Sequence, residues 1–98
     1  MIDLKKELLD KVKQILNANV PQYKALTFGS RIYGTARKFS DIDIALIGPE
    51  KIDWREIENL KDVFAESDLP MIVDIVDFNS VSKSFKMIIN KNYEVIKK

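Results

Sequence analysis

Asp41, Asp43 and Asp74 are the residues of this sequence best placed by type and spacing to do chemistry. The first two lie two positions apart in Asp41-Ile42-Asp43-Ile44-Ala45-Leu46-Ile47, an otherwise apolar run that reads as a strand. Aspartate is poorly suited to strands, and a buried carboxylate is costly unless it is paired, hydrogen-bonded or bound to a cation. Positions of equal parity share one face of a strand. Both carboxylates therefore project from the same side, their Cα atoms about 6.6 Å apart, while Ile42, Ile44 and Leu46 fill a core on the other. Converging carboxylate oxygens select a hard cation such as Mg²⁺, and two such ions about 3.5–4 Å apart clamp the oxygens of an in-line phosphoryl displacement. A third carboxylate is expected on a neighbouring strand, and the run Met71 to Asp77 supplies Asp74, with Ile72 and Val76 on its own face. With no histidine in the chain, Asp74 is also the candidate general base for an attacking hydroxyl. Asp77 falls on the opposite face by parity and is assigned to the turn that follows.

Gly29-Ser30 ends an earlier apolar run and opens a turn where backbone N–H groups and a small hydroxyl can approach a phosphate. Arg31, Arg37 and Lys38 add positive charge nearby. Together these residues can hold a nucleotide triphosphate, with metal ions between it and the carboxylates.

The elements that must position these groups are legible in outline. Leu4, Leu8, Val12 and Ile15, with Leu9 and Leu16 beside them, form the stripe of an amphipathic helix, with Asp3 as its expected N-cap and Pro21 beyond its end. Tyr23 to Phe28 reads as a strand, residues 31 to 40 as a turn and loop containing Gly34, and Asp41 to Ile47 as a second strand. Asp53 is expected to cap a helix in a capping box with Glu56, and Trp54, Ile57, Leu60 and Phe64 form its core stripe. Met71 to Asp77 gives a third strand after Pro70. Asn79 or Ser80 then caps a helix carrying Val81, Phe85, Ile88 and Ile89, Tyr93 to Ile96 adds an edge strand, and Lys97-Lys98 is expected to fray. Strands alternating with helices imply an α/β domain whose sheet is covered by helices, with strand order and direction left open.

Composition narrows the function. A chain of 98 residues is expected to form one domain, 1–98. The absence of cysteine and histidine excludes disulfides, a thiolate nucleophile, histidine-based triads and most zinc sites. Sixteen Lys and Arg against 15 Asp and Glu leave a net charge of +1, which argues against non-specific nucleic-acid binding. No apolar run reaches the roughly 20 residues of a membrane helix, and the N-terminus lacks a signal-peptide core, so a cytoplasmic protein is expected.

Gly29-Ser30, ten residues, then Asp41-Ile42-Asp43 resembles the G-S-x10-D-x-D signature of the polymerase-beta-like nucleotidyltransferases, and Asp74 in Val73-Asp74-Ile75-Val76 matches their third aspartate. Length, and Ser67-Asp68-Leu69-Pro70 before the third strand, look like the minimal nucleotidyltransferase branch. The resemblance implies an α+β core with a mixed sheet of three to four strands covered by helices. It assigns catalysis and metal binding to Asp41, Asp43 and Asp74, and nucleotide binding to Gly29, Ser30, Arg31 and Ser40. It further implies two Mg²⁺ ions, ATP or another NTP as donor, and transfer of a nucleoside monophosphate to a hydroxyl. For the minimal branch the implied partner is a small helical HEPN-domain protein, joined in a hetero-oligomer as toxin and antitoxin, with AMP passed to a tyrosine of that partner. Two other functions are compatible with the same sequence. One is a binding protein that neutralises its partner by occlusion without catalysis. The other is nucleotidyl transfer to RNA, against which stand the near-neutral charge and the lack of an appended RNA-binding domain.

Overall fold

The computed structural model describes residues 4–29 and 41–98. In chain order the elements are α1 (Lys6–Asn19), β1 (Lys24–Phe28), β2 (Ile42–Ile47), α2 (Trp54–Ala65), β3 (Val73–Asp77), α3 (Lys83–Lys91) and β4 (Glu94–Lys97). The strands form one mixed sheet in the order β3-β2-β1-β4. β1 runs antiparallel to both β2 and β4, whereas β2 and β3 are parallel. A parallel pair cannot be joined by a tight hairpin, and α2 supplies the crossover between β2 and β3. The expected α/β fold with a mixed sheet is therefore present. The N-cap position of α1 is Lys5, with no side-chain cap, and not the expected Asp3, because the first helical N–H groups bond to the Lys5 carbonyl; Asp3 itself and the loop 31–40 lie outside the described residues.

Parity along the strands divides the core in two. Ile42, Ile44 and Leu46 of β2, with Val73 and Ile75 of β3, pack against Val12 and Leu16 of α1 and Ile57, Leu60 and Phe64 of α2. The opposite face buries Leu26, Phe28 and Ala45 against Ile89 of α3, with Phe85 and Val76 packed beside them. Among the described residues no helix is long and apolar enough to cross a membrane.

Several local expectations are corrected. Trp54 is 71% exposed and not core; the buried stripe of α2 runs through Ile57, Leu60 and Phe64, and Ile52 is buried just ahead of the helix. Asp53 does cap α2, accepting from the Arg55 N–H at 2.9 Å, but Glu56 does not close a capping box; its Oε2 accepts from the Tyr23 hydroxyl at 3.1 Å. The last helix starts later than expected, with Ser82 as N-cap accepting from the Phe85 N–H. Asn79 and Ser80 instead belong to a turn organised by Asp77. The buried Asp77 carboxylate accepts from the N–H groups of Ile52 and Asn79 and from the Ser80 hydroxyl, the role in the turn assigned to it by parity. Ile88 is 55% exposed, so the inward stripe of α3 rests on Phe85 and Ile89. Lys97 does not fray. It is buried in β4, and its ammonium donates to the carbonyls of Pro21 and Tyr23, tying the edge strand to the chain that follows α1.

Thr27, fully buried in the middle of β1, has a side-chain hydroxyl with no hydrogen-bond partner among the described residues. Desolvating a hydroxyl without pairing it costs on the order of 1 kcal/mol, and valine offers the same branched shape without that cost. Thr27→Val is expected to raise the melting temperature by about 4–8 °C in calorimetry, and a lower one would show that the hydroxyl is paired in solution.

Candidate active site

Three strand ends meet at one edge of the sheet. β1 ends there at Phe28 and Gly29, and the parallel strands β2 and β3 both begin there. Ladder register then places the chemistry. Asp43 stands opposite Phe28 on one side and beside Asp74 on the other. Asp41 lies two residues before Asp43, exposed, immediately ahead of the strand. All three sit on the sheet face covered by α3, opposite to the face where Ile42, Ile44, Val73 and Ile75 are packed.

Asp43 is only half-buried, and the apolar wall against it is specific. Directly opposite residues of an antiparallel pair have Cβ atoms about 4.5–5.5 Å apart, so the Phe28 side chain adjoins that of Asp43. The Phe28 ring is in turn held by Phe85 of α3, edge to face, with centroids 5.8 Å apart and planes at 88°. Burial, then the neighbouring charges of Asp74 and Asp41, push the Asp43 carboxyl up from 3.8 to about 6. Among the described residues no three acidic, histidine or cysteine side chains close into a single metal-holding cluster. The arrangement is instead a cross-strand carboxylate pair, Asp43 and Asp74, with Asp41 near enough to act on Asp43 through its charge.

Gly29 sits against this pair with a φ of +85°, a backbone conformation that side-chain-bearing residues avoid. A Cβ built there would lie 2.3 Å from Oδ2 of Asp43, so the Asp43 carboxylate occupies the space that any other residue's side chain would need. Of the expected nucleotide-binding positions, Gly29 is thus placed at the site, whereas Ser30, Arg31 and Ser40 lie outside the described residues, as do Arg37 and Lys38. The aromatic wall of Phe28 and Phe85 is an addition that sequence reasoning missed. Both residues read as ordinary core, and no local spacing shows that Phe28 stands opposite Asp43 across a connection of more than ten residues.

The sequence matches the family described as Polymerase beta, Nucleotidyltransferase over residues 10–98. It is 46% identical over 95 residues to the probable protein adenylyltransferase MntA of Haemophilus influenzae, covering 97% of this chain and 83% of that protein. Its fold is similar to a toxin–antitoxin complex crystallised with AMP-PNP, with a TM-score of 0.77 and 29% identity over 90% of this chain and 71% of the matched chain. A complex of a tri-AMPylated Shewanella oneidensis HEPN toxin with MNT antitoxin shares the fold at a TM-score of 0.64 and 21% identity, covering 95% of this chain and 71% of the matched one.

Proposed function

The chain belongs to the polymerase beta nucleotidyltransferase family, and on that premise we propose that it transfers AMP from ATP to a hydroxyl of a partner protein. The partner in this reading is a small helical HEPN-domain protein that the chain holds in a cytoplasmic hetero-oligomer, acting as its antitoxin. The observation that carries the proposal is the Asp43–Asp74 cross-strand pair, with Asp41 beside it and the Asp43 carboxylate in the space that a side chain at Gly29 would need.

The residues fit a hard divalent cation. Their donors are carboxylate oxygens only, the set that Mg²⁺ prefers, and the like charges that raise the Asp43 carboxyl are what a cation would offset. Asp41, Asp43 and Asp74 would hold Mg²⁺, which supplies positive charge to the donor phosphates and to the charge that develops on transfer. The chain's own groups then have distinct tasks. Gly29 lets backbone approach a phosphate closely, and Asp43 fixes the side of the site nearest β2. Asp74 is exposed and can accept the proton of an incoming hydroxyl. The acceptor oxygen forms a bond to the α-phosphorus while the bond to the bridging oxygen breaks. Pyrophosphate leaves, and the proton passes through Asp74 to solvent.

Incubation with α-labelled ATP, Mg²⁺ and a HEPN-domain protein of the same organism tests this. A labelled protein band that is lost in EDTA and in Asp41→Asn/Asp43→Asn is the expected result. Label in RNA would transfer the reading to nucleic acid. Tight binding with no label, and toxicity still neutralised by the double variant, would establish occlusion.

A further inference from the structure

Asp74 belongs not only to the carboxylate pair but also to a groove between the C-terminal half of α2 and β3. The groove is lined by Lys61 and Ala65 of α2, by Leu69 and Pro70 of the connection that follows, and by Ile72 and Asp74. Ile72 is 69% exposed, although it is a large aliphatic residue, and it shares the Asp74 face of the chain two positions earlier. Nothing in the packing of the described residues calls for an isoleucine there.

β3 is an edge strand, and its outer side is open among the described residues. Ile42 N–H donates to the Ile72 carbonyl, and Phe78 N–H to the Leu46 carbonyl, each at 2.9 Å. In a parallel ladder alternate residues bond to a given neighbour, so the even-numbered residues face β2. Val73 and Ile75 therefore turn their backbone N–H and C=O groups outward, towards the free edge.

Strand order decides which substrate comes here. Across the sheet, Asp43 stands between Gly29, at the end of β1, and Asp74, on β3. An in-line displacement needs the attacking and leaving oxygens on opposite sides of the phosphorus. If the donor phosphates rest at the Gly29 side, the nucleophile enters from the β3 side. Charge then selects the class of nucleophile. The groove carries Asp62 and Asp74 against Lys61, a poor match for a nucleic-acid backbone, while its exposed apolar strip suits a protein chain.

We propose that the groove between α2 and the outer edge of β3 seats an extended segment of the acceptor protein, with Ile72 supporting an aromatic ring whose hydroxyl reaches Asp74. The segment adds to the sheet through the outward groups of Val73 and Ile75, and backbone pairing sets its register. A phenol suits the pocket because its ring is apolar and its tip is polar, so one side chain can cover Ile72 and still donate to Asp74. This inference rests on the protein-acceptor reading above.

Steady-state transfer from α-labelled ATP to a purified HEPN-domain protein of the same organism, measured for wild type, Ile72→Glu, Ala65→Glu and Ile72→Val, tests it. Both positions are exposed, so the substitutions leave the core intact. The two glutamate variants are expected to raise KM for the acceptor protein at least tenfold while KM for ATP stays within twofold, and Ile72→Val is expected to retain most of the acceptor affinity. In hydrogen exchange, acceptor binding is expected to slow the amides of Val73 and Ile75. A wild-type enzyme that labels the acceptor, with both glutamate variants unchanged in acceptor KM and no protection at β3, overturns the groove assignment alone. A wild-type protein that labels no protein overturns the parent reading and the groove with it.

Discussion

Asp43→Asn is expected to lower nucleotidyl transfer on the order of a thousandfold and, in EDTA at neutral pH, to raise the melting temperature. The two effects have one cause. Asp43 is held half-buried beside two other carboxylates, so the fold disfavours its charged form and its pKa stands at about 6, above the ordinary 3.8. A carboxyl whose folded pKa is raised favours the folded state below the unfolded pKa, and that contribution is lost as pH rises through the folded one. Between about pH 4 and 6 the cation-free protein is therefore expected to lose stability as Asp43 ionises, and asparagine removes this loss. Catalysis needs the charge that stability disfavours. A metal-held phosphoryl transfer draws several kcal/mol from its cation, and each 1.36 kcal/mol is tenfold in rate, which gives the magnitude above. Added Mg²⁺ should stabilise wild type against heat and leave Asp43→Asn unmoved, because only a ligand that binds the folded state shifts the transition. Transfer by wild type should fall as pH drops through the range in which Asp43 takes up its proton. A variant that keeps transfer within twofold of wild type would remove Asp43 from the site, and one that melts lower in EDTA would show that its carboxylate is structural.

Gly29→Ala is expected to cost transfer on the order of a hundredfold and stability about 1–2 kcal/mol. The stability cost comes from the backbone, since φ at this position is +85° and an alanine there is strained. The activity cost is separate. The new methyl would stand 2.3 Å from Oδ2 of Asp43, far inside the non-bonded contact distance of carbon and oxygen, so the carboxylate must move away. Displacing a catalytic group by about 1 Å can cost a hundredfold. Melting curves and transfer rates together check this. A variant that is destabilised as expected but transfers at the wild-type rate would show that Gly29 serves only the turn. Because the Asp43 carboxylate fills the space beside Gly29, the two substitutions are close enough to couple, and their combined effect on rate should fall well short of the product.

The candidate site was legible because its signals are local. A carboxylate in the middle of an apolar strand is anomalous wherever it lies, and period-two alternation alone put Asp41 and Asp43 on one face, Asp77 on the other, and Ile42, Ile44 and Leu46 in the core. The alternation of helices and strands was likewise readable from spacing, and with it the class of fold. What depends on contacts between distant segments was not. Trp54 has the spacing of a core residue, yet the fold leaves it exposed while Ile52 is buried, and Lys97 has the look of a loose end until two carbonyls near Pro21 are brought against it. Register across the sheet decided that Asp43 faces Phe28 and Asp74, that its carboxylate fills the space left by Gly29, and that Asp74 lies on a strand whose outer side is open among the described residues, next to an exposed Ile72. Local sequence sets which way a side chain points from its own strand. Which strand lies alongside, in what order and at what offset, is settled by hydrogen bonding and packing between residues far apart in the chain, so the chemistry was visible in the sequence while its geometry was decided only when the strands came together.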